Sequence, residues 1–103
     1  MRYEWDERKN LRNQRRHGIS FEVATLAFED EGCLVYPDRV DRNTGEQRWH
    51  ALGAVSIEPD VAAVLAVVHV YREDQNGEEI IRIISARAAE KSEVRRYRRQ
   101  ALD

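Results

Sequence analysis

Apolar and polar positions along this chain change period several times, and each change marks an element. Residues 1–5, MRYEW, set Tyr3 and Trp5 against Arg2 and Glu4, the period-two pattern of a short strand. Asp6 then offers an N-cap, with Glu7 in the first turn, for a helix running to about Arg16. Leu11 is the one apolar residue of that helix, so the pattern predicts thin packing on the surface. His17-Gly18 ends it, because glycine accepts the left-handed conformation past a helix terminus. Ser20 caps a second helix in which Phe21, Ala24, Thr25 and Phe28 fall on one face. Ile19 is placed to pack back onto Ala24.

Four strands follow an acidic turn. Residues 33–36 form a short one that ends at Pro37, and residues 47–55 follow the turn Arg42-Asn43-Thr44-Gly45. Residues 62–71 are long, apolar and rich in valine, as a central strand should be. Asn76-Gly77 turns the chain into residues 80–87, and residues 90–101 close it with a helix whose apolar face is Val94, Tyr97 and Ala101. The predicted order is β-α-α-β-β-β-β-α. It describes a single α+β domain over residues 1–103, with helices packed on an antiparallel sheet.

Composition adds segregation to this picture. The net charge of −2 predicts no bulk attraction to polyanions. The bases are clustered, however: Arg8, Lys9, Arg12, Arg15 and Arg16 stud the first helix, and Arg95, Arg96, Arg98 and Arg99 the last. Glu29, Asp30, Glu31, Asp38 and Asp41 make an acidic middle. The lone Cys33 excludes an internal disulfide and reads as a half-buried apolar residue in a reducing compartment. No apolar run approaches the roughly 20 residues of a membrane span, and the N-terminus does not read as a signal peptide. A cytoplasmic protein with no membrane contact is expected.

Candidate chemistry is found by elimination. His17, His50 and His69 are scattered, with no cysteine pair or metal-ligand spacing, no phosphate-cradling glycine loop and no nucleophile elbow. No metal or cofactor is expected. Cations and acid–base groups on the sheet remain. Alternation puts Arg48 and His50 on one face, beside Glu46, and gives His69 and Tyr71 a common face. Arg82 interrupts the most hydrophobic strand. It and Arg87 would face opposite ways unless the chain bends near Ser85. Such a set suits cleavage of a phosphodiester by its own 2′-hydroxyl: one group takes the hydroxyl proton, another protonates the leaving 5′-oxygen, and arginines balance the phosphate charge. Lys9, Arg12 and Arg16 would add RNA-backbone contacts, near the stacking surface of Trp5.

Structural roles compete for several of these residues. Arg82 could pair with Glu22, Glu79 or Glu93, and Arg48 with Glu46 at a strand edge. His69, flanked by valines, could be a hydrogen-bonded core histidine, and Tyr71 could end its strand with its hydroxyl in water.

Tyr3-Glu4-Trp5-Asp6, Lys9-Asn10 and His17-Gly18-Ile19-Ser20-Phe21-Glu22, with Ala24, resemble the opening of BrnT-type toxins. Arg48, Gly53, Arg82-Ile83-Ile84-Ser85-Ala86-Arg87, Glu93 and Tyr97 continue the resemblance in order over nearly the whole chain. It implies a RelE-like fold and a ribonuclease toxin of a type II toxin–antitoxin module, cutting RNA without metal and inhibiting translation. It further implies neutralisation by a BrnA-type antitoxin with a ribbon–helix–helix domain, expected as a 2:2 heterotetramer that meets operator DNA only through the antitoxin. The competing class is a non-enzymatic binding module that acts as corepressor of a DNA-binding partner.

Overall fold

The computed structural model describes residues 1–100. Its elements are β1 (Arg2–Glu4), α1 (Glu7–His17), α2 (Phe21–Thr25), a 3-10 helix (Leu26–Glu29), β2 (Leu34–Val40), β3 (Gln47–Glu58), β4 (Val61–Glu73), β5 (Glu79–Ala88) and α3 (Lys91–Gln100). The strands form one sheet in the order β1-β5-β4-β3-β2, so the expected α+β class holds. Ala101, assigned above to the apolar face of the last helix, lies outside the described residues.

The sheet is not wholly antiparallel. β1 runs parallel to β5, with Arg2 opposite Ile80 and Glu4 opposite Arg82. β2 to β5 follow one another through short connections, which dictates antiparallel neighbours. β1 arrives from the far end of the chain and carries no such constraint.

Capping starts and stops α1 as expected. The Asp6 carboxylate accepts the Arg8 N–H at 2.8 Å, and Gly18 takes φ 71°. Its apolar packing is as thin as expected, with Leu11 48% exposed, while Asn10 is wholly buried and Asn13 nearly so. Asn10 accepts the Phe21 N–H and donates to Glu22, each at 2.8 Å. The reason lies in the shortness of β1, which pairs only with residues 80–82 of β5. Beyond them the edge of β5 would be open, and α1 docks there through amides rather than apolar side chains.

α2 is shorter than its periodicity suggested, because after Thr25 the chain tightens into the 3-10 helix that carries Phe28. The backbone of that segment lies directly on β3 at Gly53, where a Cβ would stand 2.2 Å from the Ala27 carbonyl oxygen. Phe21, Ala24 and Ala27 from this hairpin meet Ala51, Leu65, Val67, Ile81, Ile83 and Ala86 of the sheet to form the core. Burial of each large side chain there contributes on the order of 2 kcal/mol.

β2 does not stop at Pro37 but continues to Val40. It is an edge strand, and its register against β3 shifts between Pro37 and Val40, so the missing proline N–H costs no ladder bond. β3 and β4 outrun their expected limits and join through Pro59-Asp60, with Asp60 in the left-handed region at φ 66°.

Candidate active site

β5 carries one residue more than β4 can pair. Val68 lies opposite Ser85 while His69 lies opposite Ile83, which leaves Ile84 without a counterpart. This bulge resets the alternation of the strand. Ile81 and Ile83 face the helical core before it, and Ala86 does so after it. Arg82 and Arg87 therefore emerge on the same side of the sheet, opposite α2 and the core.

The strand register arranges that side in rows. Tyr36, His50, Val68 and Ser85 make one; Leu34, Leu52, Ala66 and Arg87 make the next. Val70, Arg82 and Glu4 lie to the other side of the His50 row, with Arg48 one alternation beyond His50 on β3. α3 crosses the Leu34–Arg87 row, anchored by the Tyr97 hydroxyl donating to Asp30 and by Gln100 donating to the Gly32 carbonyl. Leu52 and Ala66 are buried in this row. Four of the six expected sheet residues, Arg48, His50, Arg82 and Arg87, thus share a face.

Each arginine of this face holds a carboxylate. Arg48 meets Asp41 at 2.9 Å and Arg82 meets Glu4 at 2.5 Å. Arg82 is an ion-pair member after all, but with none of the three partners considered from sequence. Glu93 instead forks onto Arg87, at 2.6 and 3.1 Å. That hydrogen bond raises the Arg87 pKa. Burial works against the charge of Glu93, but the fork and the Glu90 N–H outweigh it and hold the carboxyl below its usual range.

His50 stands at the centre of the cluster. Its Nε2 is 3.5 Å from Asp38, and its Nδ1 is buried with no partner among the described residues. Its ring stacks parallel to that of Tyr36, with centroids 5.3 Å apart, and the Arg96 guanidinium lies 3.7 Å from the Tyr36 centroid. Burial raises the pKa of the Tyr36 hydroxyl, aided by the charge of Glu93 and opposed by Arg96 and Arg87.

His69 and Tyr71 do not join the cluster. His69 faces the core, wholly buried, its ring edge-on to Phe28 at 4.8 Å and to Tyr71 at 5.0 Å. Burial pulls its pKa down to about 4, so it is neutral at physiological pH. Tyr71 is on that same face, also edge-on to Trp49, and 39% exposed. Cys33 is half-buried, and burial pushes its thiol up to about 11, far from a reactive thiolate.

Lys9, Arg12 and Arg16 line one side of α1. With Asn13 and His17 of the same helix they open onto a pocket of about 250 Å³, closed on the sheet side by Arg48 and the Ile84–Ser85 bulge. A larger hollow, about 600 Å³, is lined by Arg39, Val40, Asp41, Arg42 and Asn43, with Asp41 held by Arg48. Among the described residues, no three His, Cys, Asp or Glu side chains stand close enough together to hold a metal ion.

Residues 5–93 match the model of a family described as "Ribonuclease toxin, BrnT, of type II toxin-antitoxin system". The chain belongs to the BrnT family. It is thereby a ribonuclease toxin of the type II class, and an antitoxin partner is implied. No curated protein matches the chain significantly.

In this BrnT chain, sequence reasoning passed over Tyr36, Arg96 and Asn13 as site residues, and weighed Glu93 as an ion-pair partner of Arg82 rather than of Arg87. Tyr36 sits one residue before a proline that reads as a strand end. Arg96 is one base in a run of similar bases. A helical face of asparagines carries no apolar signal at all.

Proposed function

We propose that this toxin cuts RNA without a metal ion, on the sheet face that carries Arg48, His50, Arg82 and Arg87. His50 takes the proton of a ribose 2′-hydroxyl as its oxygen attacks the neighbouring phosphorus. The bond to the 5′-oxygen breaks, a proton from solvent completes the 5′-hydroxyl, and a 2′,3′-cyclic phosphate remains. Arg82 and Arg87 balance the charge that builds on the phosphoryl oxygens. Arg48, with Lys9, Arg12 and Arg16 across the pocket, holds neighbouring phosphates.

One observation carries this reading: the Ile84 bulge turns Arg82 and Arg87 to the side on which His50 and Arg48 stand. Inhibition of translation, action in the cytoplasm and a RelE-like kinship belong to the same proposal. So does neutralisation by a BrnA-like ribbon–helix–helix antitoxin in a 2:2 complex. These rest on the HGISF and RIISAR resemblance.

The test uses the purified toxin, freed from its antitoxin, on RNA with excess chelator. Cleavage is expected to persist under chelation and to vanish in His50→Ala and Arg87→Ala at unchanged folded content. Loss of cleavage on chelation, or full cleavage by both variants, rejects the mechanism. Expression without the antitoxin separates the enzyme from the corepressor reading, since only the enzyme arrests growth.

A further inference from the structure

Two side chains of α3 occupy the sheet face in ways that need an explanation. The Glu93 carboxylate makes a two-point fork on Arg87, at 2.6 and 3.1 Å. That is the geometry in which a guanidinium also receives a phosphate. Arg96 lays its guanidinium on the ring of Tyr36, 3.7 Å from the centroid. A planar cation there covers the ring much as a nucleobase would. α3 itself buries none of its residues, so these two contacts are not by-products of a packed helix core.

The two contacts are neighbours. Tyr36 stands beside His50 in one row of the face and Arg87 belongs to the next row, while the charges of Glu93, Arg96 and Arg87 all act on the Tyr36 hydroxyl. One acceptor fork and one flat stack, separated by a single step of the sheet, match the phosphate and the base of one nucleotide. We propose that Tyr36 and Arg87 form a nucleotide subsite, in which Tyr36 stacks the base and Arg87 grips its phosphate. In the free protein Glu93 and Arg96 fill it as an internal surrogate. The subsite rests on the ribonuclease reading of this face and assigns it a base-contacting residue, Tyr36, beside His50. Substrate displaces both surrogates, and the freed Arg96 turns from covering the ring to meeting the RNA backbone.

A purely structural role makes the opposite prediction for Glu93. Its carboxylate also accepts the Glu90 N–H at 2.8 Å, the usual cap of a helix start. Glutamine performs that capping equally well but surrenders the charge that competes with phosphate. Glu93→Gln therefore separates the two roles without removing the cap.

The probe is a 2′-O-methyl RNA oligomer carrying 2-aminopurine, which the toxin can bind but not cleave, read by anisotropy and by quenching of the stacked base. Glu93→Gln is expected to tighten binding by about three- to tenfold, more at low salt than at high. Tyr36→Phe keeps both quenching and affinity, whereas Tyr36→Leu loses the quenching and weakens binding by roughly tenfold. Weaker binding by Glu93→Gln, quenching that survives in Tyr36→Leu, or no binding of the oligomer by the wild-type toxin overturns the subsite. Cleavage of unmodified RNA is scored separately. A toxin that cleaves while Tyr36→Leu still stacks the base refutes the subsite alone. A toxin that stacks the base as described yet never cleaves refutes the ribonuclease mechanism alone.

Discussion

The Asn13 carboxamide holds the backbone of Ala86 at both polar atoms: Nδ2 donates to the carbonyl at 2.7 Å, and Oδ1 accepts the N–H at 3.2 Å. It stands in for the residue of a neighbouring strand that β1 is too short to supply. It does so two residues after the Ile84 bulge, where β5 leads into Arg87.

Asn13→Ala leaves both Ala86 groups, and the Ile19 carbonyl that Nδ2 also serves, without a side-chain partner. The expected cost is about 2–3 kcal/mol, read as a lower urea midpoint at unchanged slope. Asn13→Asp keeps the acceptor, loses the donor and fares no better. A midpoint equal to wild type in both variants would show that the edge is closed by something else.

Gly53→Ala brings a methyl group to 2.2 Å from the Ala27 carbonyl oxygen. The obstacle is backbone, so the 3-10 helix must lift off β3 and open the core around Ala24 and Ala27. The expected destabilisation exceeds about 3 kcal/mol, visible as a large drop in melting temperature. A wild-type melting temperature would contradict the close approach.

His69 makes stability acid-sensitive. Its pKa falls from the ordinary 6.5 to about 4 in the fold, chiefly through burial. Between those values the unfolded chain binds the proton more readily than the folded one, so stability is lost as pH drops from about 6.5 towards 4. At about 1.4 kcal/mol per pH unit this amounts to on the order of 3 kcal/mol. Denaturant midpoints measured across that range should fall in the wild type and flatten in His69→Leu. An equal slope in both would remove His69 as the cause.

Arg82 pairs with Glu4 where the two side chains are 24% and 35% exposed. Because solvent screens such a pair, Arg82→Ala should cost no more than about 1 kcal/mol. It would still remove a cation from the face that binds RNA. Folded content by circular dichroism and cleavage of RNA should therefore part company, with the first kept and the second lost.

Arg87→Lys retains charge but not the two-point fork, and the expected loss in kcat is about tenfold to a hundredfold. His50→Ala should lose about a hundred- to ten-thousandfold. Single-turnover rates at saturating RNA check both, and a larger effect on KM than on kcat would make Arg87 a binding group only.

Much of this architecture is legible in the chain because local physics writes it there. Asp6, Gly18 and Ser20 delimit their helices by capping, Asn76-Gly77 marks its turn, and the valine-rich stretch before Tyr71 becomes the middle strand of the sheet. What stays hidden depends on lengths that only pairing can compare. Period two separates Arg82 from Arg87 in every unbroken strand, and no property of Ile84 itself announces that β4 leaves it unpaired. Likewise His69 and His50 look alike along the chain. One lies among Phe28 and Tyr71 beneath the helices, the other beside Tyr36 on the opposite side. Glu4 escaped as the partner of Arg82 because its strand joins β5 from the far end of the chain.

The surplus Ile84 also has a bearing on how this chain can vary in length. Deleting it would remove the bulge yet leave Ser85, Ala86 and Arg87 on their present sides, because Ser85 would then follow Ile83 in simple alternation. A residue added between Ser85 and Ala86, past the bulge, would instead turn Arg87 inward against Leu65 and Val67. Turns such as Thr44-Gly45 or Asn76-Gly77 can gain or lose residues without moving any functional group to the wrong side. In β5 the place of each residue relative to the bulge is itself a functional property, and one codon inserted just after Ser85 would silence the toxin while leaving every candidate side chain in the chain.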